Sequence, residues 1–140
     1  MDIRPLTPDF AVAPQITAED VNTLKAEGFT HIICNRPAFE SAPDETPDVI
    51  AAAVAQAGMG WTDNPMMGGQ LSMEMIQAQR AEGKVLAYCA SGTRSAILWG
   101  LAQAGEMPTD DILKAMRDAG YPMEQMRGQL DMLASQNGAA

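Results

Sequence analysis

Lys84-Val85-Leu86-Ala87-Tyr88-Cys89-Ala90-Ser91-Gly92-Thr93-Arg94-Ser95, running on into Ala96-Ile97-Leu98-Trp99, is the stretch whose reading decides the fold. Residues 85–88 are β-compatible and end at a cysteine. A short loop with one glycine follows, and then an apolar run with helical spacing. Strand, tight loop and helix in that order aim several backbone N–H groups at one spot, where the helix dipole adds its positive end. Arg94 contributes a permanent fork-shaped cation. A thiol placed among such charges is favoured as thiolate. The stretch therefore predicts a nucleophile, Cys89, beside an anion cradle made by Ala90, Ser91, Gly92 and Thr93. A lone cysteine at a strand end is more often a small buried hydrophobe. The company of Gly92, Arg94 and Ser95 at a strand-to-helix junction favours the functional reading.

Outward from that loop, the punctuation alternates strands with helices. Residues 3–6 and 10–12 are short strand candidates bounded by proline. Thr17 caps a helix with Glu19 and Asp20 in its first turn and Gly28 beyond its end. Residues 29–34 predict a buried strand, left through Asn35-Arg36-Pro37-Ala38-Phe39-Glu40. Thr46 and Pro47 open a second helix closed by Gly58, and residues 60–64 form a strand before a loop carrying Pro65 and Gly68-Gly69. Ser72 caps a third helix to about Glu82. Further helices are expected over 94–104, over 110–119 with Thr109 as cap, and from Pro122 to Ser135, with 136–140 frayed. This alternation predicts one α/β domain over 1–140 with a mostly parallel sheet, whose ligands bind at the carboxyl ends of the strands. Cys89 falls there.

The 140 residues, 46% hydrophobic, suffice for one core. No run approaches the roughly 18 apolar residues of a membrane span. The start has no apolar leader segment, and two cysteines make no disulfide framework, so a cytoplasmic location is expected. Eighteen acidic against nine basic residues give a net charge of −9. Such a surface repels nucleic acid and anionic membranes, so neither is an expected partner, and a small anionic substrate must be drawn in by a local cradle. With one histidine, His31, in an apolar strand, no metal site and no cofactor are expected.

Gln15-Ile16-Thr17, the segment Gly28 to Glu40, the Pro65…Gly68-Gly69 loop and Cys89 to Ser95 together resemble the bacterial beta-lactamase-hydrolase-like, phosphatase-like domain family. The segment from Gly105 to Tyr121 resembles the C-terminal helices of that family. The resemblance implies the fold of dual-specificity protein phosphatases. Three departures bear on chemistry. Phosphatases of this fold carry Cys-x5-Arg, whereas four residues separate Cys89 from Arg94, as in rhodanese-like sulfurtransferase loops. Their usual histidine before the cysteine is Tyr88, which is expected to line the pocket or support the loop. Their acid, an aspartate three residues after a proline on the facing loop, falls at Gly68, and Asp63 replaces it only if the loop folds back. A positioned acid is typically worth about 10²–10⁴-fold in rate.

These departures put rhodanese-type sulfane-sulfur transfer first among the expectations. Cys89 takes the outer sulfur of an anionic donor as a persulfide and passes it to a thiol acceptor. Phosphatase action on phosphotyrosine or small aryl phosphates through a phosphocysteine is the alternative, and an anion-binding or redox module without turnover is a third. Ser91 and Thr93 offer hydroxyls to an anion or simply form the turn. Ser95 resembles the phosphatase hydroxyl that assists release, or serves as a helix cap. Arg36 and Glu40 line the site or brace the loop by an ion pair. On the facing loop Met66 and Met67 offer an apolar wall to the pocket, and Gly68 and Gly69 are hinges facing the site. Cys34 is a core residue, or a resolving thiol if its Cα lies within about 7 Å of that of Cys89.

Overall fold

A computed structural model of the chain describes residues 1–136. Its centre is a five-stranded sheet made of β1 (Arg4–Thr7), β2 (Phe10–Ala13), β3 (His31–Cys34), β4 (Gly60–Asp63) and β5 (Val85–Tyr88), in the order β1-β2-β5-β3-β4. The β1–β2 pair is antiparallel, and every other pair is parallel. β5 thus lies between two parallel neighbours, with both faces buried, which is why it reads as an unbroken apolar run. Alternation along it divides the core. Leu86 and Tyr88 join Ile32 and Cys34 under α1 (Ala18–Ala26) and α2 (Pro47–Gln56). Val85 and Ala87 join Ile33 beneath α4 (Thr93–Gln103), α5 (Thr109–Asp118) and α6 (Arg127–Gln136), whose Leu98, Trp99, Ile112, Met116 and Leu130 fill the second layer.

Local chemistry explains most boundaries. At α1 the Asp20 N–H donates to Thr17 Oγ1 at 3.1 Å and the Thr17 N–H to Asp20 Oδ2 at 2.9 Å, a reciprocal capping box. Pro47 occupies the first turn of α2, where its missing N–H costs nothing. Three expected boundaries move. The helix from Ser72, α3, covers only Met73–Ala78 instead of reaching Glu82. Thr109 lies inside α5, after Pro108 as cap, and its hydroxyl donates to Asp131 at 2.6 Å. A 3-10 turn at Glu124–Met126 precedes α6, which therefore starts five residues after Pro122. Of the expected frayed end, Gln136 is still helical, and 137–140 lie outside the described residues.

α3 stops early because Gln79 turns its amide inward. Gln79 Nε2 donates to Asn35 Oδ1 at 2.7 Å, and Gln79 Oε1 accepts from Asn35 Nδ2 at 2.8 Å and Asn64 Nδ2 at 2.9 Å. Asn35 Nδ2 also reaches the Asn64 carbonyl at 2.8 Å, and Asn64 Nδ2 the Met75 carbonyl at 2.9 Å. These three buried amides tie the ends of β3 and β4 to α3, and a 3.4 Å bond from Gln79 to the Ser95 carbonyl extends the tie to α4. Gln79→Leu strands partners on both asparagines without water to replace them. It is expected to cost about 2–4 kcal/mol, read as a lower urea midpoint. An unchanged midpoint refutes the network's role.

Candidate active site

The loops after β2, β3, β4 and β5 converge at the carboxyl edge of the sheet, as expected for a parallel α/β sheet. Cys89 ends β5 there. The Gly92 N–H donates to its Sγ at 3.1 Å. Gly92 has φ +92 and caps α4, and the hydroxyl of Tyr121 stands where a Cβ on it would lie. That hydroxyl also donates to the Ser91 carbonyl at 3.1 Å, so Tyr121 buttresses the loop from behind. Gly92→Ala meets both the positive φ and the Tyr121 contact. It is expected to destabilise by about 1–3 kcal/mol in chemical denaturation, and full stability would show that the loop gives way without cost.

Arg94, in the first turn of α4, is gripped from two other loops. Its Nη1 donates to Glu40 Oε2 at 3.0 Å and its Nη2 to Glu40 Oε1 at 2.7 Å, a bidentate pair. Nη1 also reaches the Met66 carbonyl at 2.9 Å. Arg36 holds Glu40 in turn, with Nη2 donating to the Glu40 carbonyl at 2.7 Å and Nε 3.7 Å from Oε1. Its Nη1 donates to Gln15 Oε1 at 3.0 Å, and the Gln15 N–H donates to the Ala90 carbonyl at 3.4 Å, which closes the chain of contacts back on the loop. The hydrogen bonds from Arg94 push the Glu40 carboxyl below its ordinary range. The same bonds, with the Cys89 sulfur beside them, keep Arg94 charged. Of the two sequence readings of Arg36 and Glu40, the bracing ion pair is the one the structure has.

Other expected site residues fall differently. Cys89 has no exposed surface, so the sulfur does not face an open cradle as the sequence suggested. Ala90 and Ser91, the next residues of the loop, are exposed. Ser91 Oγ and Thr93 Oγ1 bond each other at 3.0 Å, the turn-forming use of those hydroxyls. Ser95 is fully buried, its Oγ has no partner, and it caps nothing, since Gly92 is the cap. Tyr88 points away from the loop, towards Trp61 and the α1–α2 layer, because alternation along β5 sends it there. Burial pushes its hydroxyl far above the usual range. Cys34 lies on that same face opposite Tyr88, its Sγ donating to the Arg36 carbonyl at 3.4 Å. Both cysteines are free, and burial pushes the Cys34 thiol up.

Met67 is exposed, and Gly68 and Gly69 form an outward turn with open space around both. The facing loop touches the site through the Met66 carbonyl instead. His31 hydrogen-bonds Thr62 at 2.7 Å within the sheet, away from the loop. Among the described residues no three His, Cys, Asp or Glu cluster as metal ligands, and no helix is long and apolar enough to cross a membrane. Sequence reasoning met Tyr121 and Gln15 only within the family resemblance, and gave Met66 an apolar wall instead of the carbonyl contact it makes.

A thiol at the end of a central parallel strand, a glycine-capped helix behind it and an arginine at that helix's first turn define a phosphatase-like α/β domain with a cysteine-centred loop. The chain belongs to the family described as beta-lactamase hydrolase-like protein, phosphatase-like domain, whose model matches residues 2–106. It is 31% identical over 119 residues to a beta-lactamase hydrolase-like protein of Xylella fastidiosa, an alignment covering 80% of this chain and 28% of that protein. The chain thus spans little more than a quarter of that relative's length. A candidate phosphatase from Neisseria meningitidis has a solved structure that superposes with a TM-score of 0.79 at 33% identity, covering 95% of this chain and 99% of that one. A kinase-associated phosphatase whose catalytic site holds a cysteine shares the fold at 13% identity, with a TM-score of 0.67 over 99% of this chain and 96% of its own. These relatives lend no support to sulfur transfer, the first expectation above, and fit the phosphatase alternative better.

Proposed function

We propose that this domain is a Cys89-dependent phosphatase-type hydrolase acting on small aryl phosphate esters, phosphotyrosine among them. One observation carries the reading. Arg94, held by both oxygens of Glu40, stands charged beside a sulfur that already accepts the Gly92 N–H. Such a pair matches a phosphoryl group, with the guanidinium and loop N–H groups on its oxygens and the sulfur on its phosphorus. The Cys89 thiolate attacks phosphorus, the S–P bond forms as the P–O bond breaks, and the leaving oxygen takes the electron pair. Water then attacks the phosphocysteine, which releases phosphate and returns the thiolate. With Gly68 at the acid's expected position, phenols leave and alkyl oxygens do not. Because Cys89 has no exposed surface, turnover requires a movement that uncovers its sulfur.

Two features favour a second reading, sulfane-sulfur transfer to a thiol acceptor. Only four residues separate Cys89 from Arg94, and the facing loop offers Gly68 instead of an acid. Thiolate and sulfite leaving groups depart without protonation, so a persulfide cycle runs on the same cradle without that acid. One experiment divides the two. The hydrolase releases phosphate from an aryl ester, is blocked by vanadate, and shows no gain of one sulfur atom in mass after thiosulfate. A sulfur adduct on Cys89 without phosphate release reverses the order.

A further inference from the structure

The two loops that hold Arg94 also wall a groove of about 420 Å³, lined by Pro37, Phe39, Pro65 and Met67 with Asp48 and Asp63. Its position is set by the chain itself. Phe39 precedes Glu40, and Met67 follows Met66, so its two large apolar side chains are each one residue from a group that holds Arg94. Both stand in water, Phe39 at 78% and Met67 at 47% exposure. Neither side chain serves the core. No basic residue lines the groove, and among the described residues neither Asp48 nor Asp63 has an ion-pair partner, although Asp48 lies in the first turn of α2, where the helix dipole favours a carboxylate. Burial, and then the nearby Asp48, push the Asp63 carboxyl above its usual range.

We propose that this groove is the leaving-group subsite of the Cys89 centre, and that it takes an aromatic or apolar group bearing a positive charge. The assignment rests on the hydrolase reading above and adds the charge of the substrate to it. An anion at residues 89–94 and a cation over Phe39 and the two aspartates describe one substrate with separated charges. Phe39 adds the attraction of a ring face for a cation, and Met67 adds soft apolar contact.

Phosphotyrosinamide, with its free ammonium, and its N-acetylated counterpart share one leaving phenol and differ in that charge and in the acetyl group that removes it. Calorimetric titration of the Cys89→Ser protein at about pH 6, where the amine is protonated, is expected to show the ammonium form binding about 5–10-fold tighter. In a Cys89→Ser protein that also carries Asp48→Asn and Asp63→Asn, the ratio should fall to about one. Equal binding of the two esters overturns the proposal, as does a ratio that survives loss of both carboxylates, or no binding of either. Phosphate release by the unmodified protein is scored separately. Release without preference leaves the hydrolase reading standing and removes the groove, whereas preference in binding without release removes the hydrolase reading alone.

Discussion

Cys89→Ser is expected to lower turnover of an aryl phosphate by about 10⁴-fold or more while leaving the unfolding midpoint nearly unchanged. A serine hydroxyl in that place still accepts the Gly92 N–H, so the loop keeps its internal bond. What is lost is the thiolate. A hydroxyl stays protonated unless a base removes its proton, and two candidate bases are already engaged: His31 with Thr62 within the sheet, and the Glu40 carboxylate with Arg94. Mass spectrometry of the unmodified protein quenched during turnover should show a phosphoryl adduct on the peptide containing Cys89, absent from the variant. Under the sulfur-transfer reading the same substitution removes a sulfur adduct instead. Either loss assigns the nucleophile. Full turnover in a folded variant would move the chemistry off Cys89 and leave the loop as an anion-binding turn.

The parts of this architecture that could be read in the sequence are those written in short-range chemistry. Residues 84–99 spell strand, loop and helix by composition alone, and Cys89, Gly92 and Arg94 were identified from their spacing. Thr17 with Asp20, and Pro47, likewise fix two helix starts by contacts within one turn. The misreadings share the opposite cause. Gln79 stops α3 because of Asn35 and Asn64, partners 44 and 15 residues away. Tyr88 was assigned to the loop by adjacency, although alternation along β5 sends its ring to the other face. Met66 enters the site through its carbonyl, a group every residue possesses, so no side-chain pattern marks it. Tyr121 reaches Ser91 across 30 residues, and nothing near residue 121 announces that contact. That Cys89 lies without exposed surface depends on packing that a residue count does not draw.

Glu40→Ala is expected to lower kcat/KM by about 10²-fold at little cost in stability. The carboxylate is part-exposed, with side-chain exposure of 27%, and ion pairs of that kind contribute little to folding. Its effect should instead fall on position. Without Glu40, Arg94 keeps only the Met66 carbonyl, and its planar fork is free to leave the sulfur. Glu40→Gln removes the charge but keeps one acceptor oxygen for a single bond to Arg94, so it should lie between Ala and the parent. The pH dependence has a definite sign. Arg94 lowers the folded-state pKa of Glu40, so the clamp's contribution is complete above the ordinary carboxylate range and is lost as pH falls through the depressed value. Loss of the clamp by protonation should therefore appear only below that ordinary range, and this acid limb should vanish in Glu40→Ala. A merely structural Glu40 predicts another pattern, with a reduced unfolding midpoint and kinetic constants intact in whatever protein remains folded. That outcome would remove Glu40 from the site and leave Arg94 without the partner that aims it.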